Sequence, residues 1–378
     1  MNILINGYVG PQLTGIGNVL IHTVNAISKE TPSAQLIIVT NYDNAELIEK
    51  LDANILVRSI PISRNNTFLN LLFNIFIFPW IAFFKKIDIV YISNFMMILL
   101  KFKPTIVVIH DMIEFKVKKK FSRVRTAYRK VAVPSMARQA THIITVSNNS
   151  KNDLINILNV NPAKISVVYN GIPKVKNITR DPINKSIVQS CVDPYLLYIG
   201  TVDYPGKNIH AAISAFAKYK MLGGAKWKFV LAGGPGHGFD VIMNMISTNV
   251  YKNDITYLGY VSDLERDYLY RHASTFIYLS YYEGFGLPIL EAMSHGTPVI
   301  TSNRSCLPEI AGEAALIVDP DDIDTIAKEL QNLSESQKLR MEYIRKGKIR
   351  AKDFCWINAG QKTLSIFQNI YTEGSISI

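Results

Sequence analysis

Along the whole chain, short apolar runs rich in Ile, Val, Leu and Tyr alternate with longer stretches of helical period. That alternation is the pattern of βαβ units and predicts parallel sheets. In the first half it predicts strands at residues 3–5, 36–40, 55–57, 87–91, 105–109, 142–146 and 165–168, with helices at 16–28, 123–140 and 149–158. After Tyr169 the pattern lapses into NGIPKVKNITRDPINKSIVQS, a polar, proline-containing segment that reads as an interdomain linker. It then restarts, with strands expected at 196–199, 228–232, 255–258, 275–279, 298–301 and 315–318. A closing helix, 356–371, carries apolar residues at Ile357, Leu364, Ile366, Phe367 and Ile370, so it needs a surface to pack on, back across the linker. The fold class is α/β: two doubly wound parallel-sheet domains, 1–172 and 194–355, joined by a linker at 173–193 and followed by a terminal helical segment at 356–378. Two such domains are expected to face each other across a cleft, with ligands beyond the carboxyl ends of the strands.

Composition narrows the class. The 378 residues are 48% apolar and 19% charged, which excludes extended disorder and gives each domain enough apolar material for a core. Cys191, Cys306 and Cys355 are too scattered for a disulfide framework or a zinc site, and fit a reducing cytoplasm. The opening MNILING reads as a first strand rather than a secretion signal. The most lipid-like stretch, 68–84, is interrupted by Asn70, Asn74 and Pro79 and falls short of the roughly 20 apolar residues of a spanning helix. It is expected to be a buried or partly membrane-facing helix of a soluble or peripheral protein.

Chemistry concentrates in a few strand-to-helix turns. In EGFGLPILEAMSHGTPVI, a strand ends, a turn follows at Gly284, Phe285 and Gly286, and a helix opens at Leu287 with Pro288 in its first turn. Such a turn presents backbone N–H groups and the positive end of a helix dipole, which suit a diphosphate or sugar hydroxyls. Glu283 and Glu291 flank it, both placed to reach one ligand. In YIGTVDYPGKNIHAAISAF, a strand delivers Gly200 to a loop, and Lys207 stands just ahead of a helix. Gly233 begins a third glycine-rich turn, AGGPG. In the first half, TGIGNVL puts Gly15 and Gly17 at a helix start, but Leu20 occupies the third-glycine position and the second strand ends in Thr40 and Asn41. A dinucleotide-binding reading is therefore weak. His110 and Asp111 end the strand PTIVVIHD.

The run from Glu283 resembles the Glu-x7-Glu motif of the retaining GT-B glycosyltransferases of family 4, which includes bacterial mannosyl- and glucosyltransferases. The loop around Lys207, the AGGPG turn and the His110 strand end are similar to segments of the same family, although Gly206 stands where an arginine commonly precedes the lysine. The resemblance implies a GT-B fold with Rossmann-like halves, the first binding the acceptor and the second a nucleotide diphosphate sugar. It implies that Glu283 holds sugar hydroxyls, Glu291 ribose hydroxyls, Lys207 donor phosphates, and Phe285, Gly286 and Leu287 the sugar and phosphate through their amides. Gly15, Gly17, Gly200 and Gly233 would border the donor, and His110 would approach the transferred sugar. It implies front-face attack with the leaving phosphate assisting deprotonation, no covalent nucleophile, no metal and no cofactor. The Asp319, Asp321, Asp322 and Asp324 cluster reads as a turn and helix cap rather than a cation site.

The formal charge is +11, and residues 101–130 alone carry ten basic side chains against two acidic ones. A docking surface for anionic membrane is expected at Lys116, Lys118, Lys119, Lys120, Arg123 and Arg125. Nucleic acid is not expected, since no binding motif accompanies the patch. The function expected is transfer of a hexose, mannose from GDP-mannose first and UDP-sugars after it, to a glycan or lipid-linked acceptor in bacterial surface polysaccharide synthesis, at the inner face of the membrane. A nucleotide-sugar epimerase or a non-catalytic nucleotide-sugar or lipid-binding subunit are the alternatives. An epimerase would work without acceptor, and a degenerate subunit would be free to lose Glu283, Glu291 and Lys207.

Overall fold

The structure, a computed structural model, describes residues 1–10, 15–31, 34–117, 122–173, 183–224 and 227–376. Thr14, Lys118, Lys119, Lys120 and residues 174–182 of the expected linker lie outside the described residues. The chain forms two compact units, one from Met1–Gly171 with Phe354–Ile378, the other from Ile172–Asp353.

In the first unit seven strands, β1 (Asn2–Asn6), β2 (Gln35–Asn41), β3 (Leu56–Ile60), β4 (Ile89–Ile92), β5 (Thr105–Val108), β6 (His142–Thr145) and β7 (Ile165–Val167), form one sheet in the order β3-β2-β1-β4-β5-β6-β7. Every pairing is parallel. Helices on both faces leave the central strands buried, which is why they read as unbroken apolar runs. The chain leaves β1 toward β2 on one side and returns to β4 on the other, so the strand order reverses at the β1/β4 pair. The closing helix Trp356–Ile376 packs on the helix Gly15–Glu30 of this unit. Gly360 is needed there, since a Cβ would lie 2.6 Å from that of Ala26, while Phe367 is buried beside Tyr91.

The second unit holds β8 (Tyr195–Ile199), β9 (Lys228–Ala232), β10 (Ile255–Tyr257), β11 (Thr275–Tyr278), β12 (Val299–Ser302) and β13 (Leu316–Val318), again all parallel, in the order β10-β9-β8-β11-β12-β13. The order reverses between β8 and β11, and the loops leaving those two strands carry Lys207 and Glu283. The end of the expected linker forms the helix Lys185–Ser190, capped by the side chain of Asn184.

The apolar stretch 68–84 is a helix, Thr67–Phe84. A π turn at Phe73–Ile77 precedes Pro79, whose missing N–H removes one rung of the ladder. Asn70 and Asn74 point inward. Asn74 accepts from the Asn6 amide of β1 at 2.8 Å and Asn70 from the Asn41 amide of β2 at 2.6 Å. The aromatic side chains at Phe68, Phe76, Trp80, Phe83 and Phe84 point out.

Candidate active site

Local sequence explains how the second unit's turns are made. Gly286 caps the helix Leu287–His295 with φ at 94°, a left-handed conformation that favours glycine, and a Cβ there would also meet Leu307 at 2.8 Å. The backbone of Glu283 is clamped: its N–H donates to the Ser305 hydroxyl at 3.2 Å, and that hydroxyl donates to its carbonyl at 2.8 Å. The turn is thus held from behind, and the Glu283 side chain has one direction to take.

It takes that direction toward Lys207. The Lys207 Nζ donates to Glu283 Oε1 at 2.5 Å and to the Tyr278 hydroxyl at 2.9 Å, and that hydroxyl donates to the same carboxylate oxygen at 2.8 Å. Burial works against both charges. The Lys207 ammonium and its hydrogen bond outweigh it at Glu283, holding the carboxyl below the usual carboxylate range, and Glu283 in turn holds Lys207 above the usual lysine value. Both are therefore ionised near neutral pH. Tyr278 had no signal in the sequence beyond being a tyrosine in a buried strand, where a hydroxyl needs a partner.

Glu291, on the helix after the turn, accepts from the Tyr270 hydroxyl at 3.1 Å and lies 4.0 Å from the Arg266 guanidinium. Neither neighbour was singled out in the sequence. Phe285 is buried, and Leu287 is half-buried at the first helical position. Gly200 and Gly233 meet each other: a Cβ on Gly233, whose φ is 135°, would lie 1.9 Å from the Gly200 carbonyl oxygen. Asn208 precedes the helix Ile209–Met221 in the left-handed region at φ 52° and donates to the Pro320 carbonyl at 2.8 Å. Asp322 caps the helix Ile323–Glu335, Asp319 pairs with Arg304, and Asp321 accepts from the Tyr281 hydroxyl.

In the first unit His110 follows β5 and is buried. Its Nε2 lies 3.1 Å from the Ser93 carbonyl, which can only accept, so Nε2 carries the proton and Nδ1 keeps its lone pair. Burial lowers its pKa, so the ring is neutral. Behind it Arg129 reaches Asp111 at 3.1 Å and Glu114 at 2.7 Å with its guanidinium over the Phe95 ring, a buried cluster that sequence periodicity hid. Gly15 starts its helix where, among the described residues, a Cβ would meet nothing within 4 Å, and Gly17 is buried.

An ammonium beside a glycine-capped helix N-terminus, both at the strand-order reversal of a parallel sheet, can receive a diphosphate and offset the charge that grows on it as a leaving group. With two parallel-sheet units in one chain, this is the construction of the GT-B glycosyltransferases. The family description "Glycosyltransferase Family 4" matches residues 14–174 and "Glycosyl transferases group 1" matches residues 181–350. The chain is 34% identical over 263 residues to O-antigen chain mannosyltransferase B of Escherichia coli, covering 68% of each. It is 29% identical over 229 residues to O-antigen chain mannosyltransferase RfbU of Salmonella typhimurium, covering 61% of this chain and 60% of that one. The Anabaena protein HepE, solved with UDP and glucose, superimposes with a TM-score of 0.75 at 16% identity over 98% of this chain and 100% of that one. The chain belongs to the family 4 glycosyltransferases and is a hexosyltransferase.

Proposed function

We propose that the chain transfers mannose from GDP-mannose to a glycan or lipid-linked oligosaccharide, with retained anomeric configuration, in the synthesis of a bacterial surface polysaccharide. The observation that carries the reading is the Lys207, Tyr278 and Glu283 cluster at the end of β11. The names of the relatives, both O-antigen mannosyltransferases, support the sugar and the acceptor class. HepE, solved with UDP and glucose, supports a nucleotide-sugar donor, with UDP-sugars as the competing choice.

In this reading Lys207 turns from Glu283 to the donor diphosphate, and the freed carboxylate accepts from sugar hydroxyls. The amides of Phe285, Gly286 and Leu287 complete the contacts to sugar and phosphate. Glu291 accepts from ribose hydroxyls while Tyr270 orients it. His110, neutral with its proton committed to Ser93, offers Nδ1 as an acceptor to a sugar hydroxyl. Gly15, Gly17, Gly200 and Gly233 leave room for the donor. The acceptor attacks from the face the phosphate leaves, and a phosphate oxygen takes its proton. No metal or cofactor is assigned a part.

The same reading puts the chain at the cytoplasmic face of the membrane. Of the basic segment, Arg123 and Arg125 are exposed at the start of the helix Arg123–Gln139, while Lys116 pairs with Asp153 at 2.8 Å. The test is product analysis with GDP-mannose, UDP-glucose and UDP-N-acetylglucosamine, with the new linkage read by NMR. Transfer from a UDP-sugar alone, or an inverted linkage, overturns the donor or the stereochemistry.

A further inference from the structure

The helix Thr67–Phe84 turns two asparagines inward with Phe73, Ile75 and Phe78, and leaves aromatic residues outside. Its polar residues Asn70 and Asn74 are buried and hydrogen-bonded to the sheet, whereas Phe68 is 66% exposed, Phe76 53%, Trp80 42% and Phe84 76%. With Leu72 these fall on one stripe at intervals of four residues, and Phe83 lies beside its end. The helix cannot rotate to hide that stripe without breaking the Asn6–Asn74 and Asn41–Asn70 bonds and exposing nothing better to water. An exposed apolar face of this size calls for an apolar partner.

Its surroundings say which. Lys85 and Lys86 follow the helix directly and are exposed. Lys101 and Lys103 flank Phe102, whose ring lies 4.8 Å from Trp80 and 5.2 Å from Phe83. Between Asp52 and Asp111 the sole acidic residue is Asp88, already accepting the Asn2 N–H at 2.7 Å. An apolar ridge with a tryptophan near its lysine-bordered end, in a segment with Asp88 as its one acidic residue, matches the boundary between acyl chains and anionic headgroups. A second copy seated on the same face would bring lysine borders against lysine borders. At 18 residues the helix is about 27 Å long, below the roughly 30 Å hydrocarbon core, and its inner side is tied to β1 and β2. It therefore lies in the membrane surface and does not cross it.

We propose that the outward face of Thr67–Phe84, with Lys85, Lys86, Lys101 and Lys103, is a monotopic docking surface for anionic lipid bilayer. It deepens the reading of a lipid-linked acceptor, but it moves the docking surface from the basic segment 116–125 to the aromatic helix.

The full chain, without donor or acceptor, is cosedimented with phosphatidylcholine vesicles and with vesicles containing phosphatidylglycerol, while Trp80 fluorescence is followed. Binding is expected at least about tenfold stronger to the anionic vesicles, with a blue shift that Trp80→Phe abolishes. The Phe76→Gln/Trp80→Gln/Phe84→Gln variant, altered only at exposed positions, is expected to lose at least about tenfold in partition with unchanged circular dichroism. Three outcomes overturn the proposal. They are wild-type protein left in the supernatant, undiminished binding by the folded triple variant, and a vesicle-free dimer that the same substitutions dissolve. Sugar transfer plays no part in the assay, so failure here leaves the proposed reaction standing, and failure of the reaction leaves this surface to be judged by its own result.

Discussion

Lys207 and Glu283, 76 residues apart in the chain, meet at 2.5 Å where the order of the second sheet reverses. Each is the other's main reason for remaining charged inside the protein. Lys207→Ala leaves a buried carboxylate with Tyr278 as its neighbour, and Glu283→Ala leaves a buried ammonium. Each is expected to cost about 3–5 kcal/mol of stability, while the double variant costs less than the two together. Turnover should fall at least about tenfold in either single variant, the scale of one lost transition-state contact. Urea denaturation and steady-state kinetics check both. Additive stability losses would mean that the pair is not coupled, and an unaltered rate in a folded variant would remove that residue from the reaction.

Tyr278 holds the pair in one geometry through a single oxygen. Tyr278→Phe keeps the ring and its packing on Tyr198, whose ring centroid is 6.1 Å away, and removes only the hydroxyl. The expected loss is about 1 kcal/mol of stability, with kcat falling several-fold as the carboxylate gains rotameric freedom. A variant with wild-type kcat and stability would show that the ion pair positions itself.

The pair also dictates how stability depends on pH. A carboxyl held below its usual value contributes stability that is complete above its unfolded pKa of about 4.3 and is lost as pH falls through the lower folded value. A lysine held above its usual value contributes stability that is complete below about 10.4 and is lost as pH rises through the higher folded value. The stability gap between the wild type and a Lys207→Met/Glu283→Gln variant should therefore be flat across neutral pH and change only toward both extremes. Urea midpoints measured over pH would show it. A gap that changes between pH about 6 and about 8 would point to a histidine instead.

Much of this architecture can be read from the letters because parallel strands covered on both faces must be apolar throughout, as in YLLYI of β8, where all five residues are buried. The reading slips where that condition fails. β3 is an edge strand, so Arg58 and Ser59 are tolerated on it, and the apolar run at 55–57 missed its extent, Leu56–Ile60. Glu283 and Lys207 stand out because glycines frame them, whereas Tyr278, Tyr270 and Arg129 sit within elements whose periodicity explains them as packing. The 68–84 helix shows the limit most clearly. Its letters permit either burial or lipid contact, and only the Asn6 and Asn41 partners, more than 25 residues away, decide which face turns inward.

Two of the glycines proposed to border the donor separate a structural need from a functional one. Gly233 sits at φ 135° with the Gly200 carbonyl where a Cβ would go, so Gly233→Ala must push apart the loops that follow β8 and β9. A loss of at least about 2 kcal/mol is expected, before any ligand is considered. A methyl group on Gly15 would have nothing within 4 Å among the described residues, so Gly15→Ala should leave stability within about 0.5 kcal/mol. If the donor passes over that helix start, the same methyl group must meet it, and the KM for the nucleotide sugar should rise several-fold with the fold intact. Thermal melts with and without nucleotide sugar separate the two cases, since a ligand that binds the native state raises its apparent stability to an extent set by its affinity. Gly15→Ala protein that melts and binds as the wild type does would take the Gly15 turn out of the donor site, whereas a stable variant with a smaller ligand-induced shift would put the donor against it.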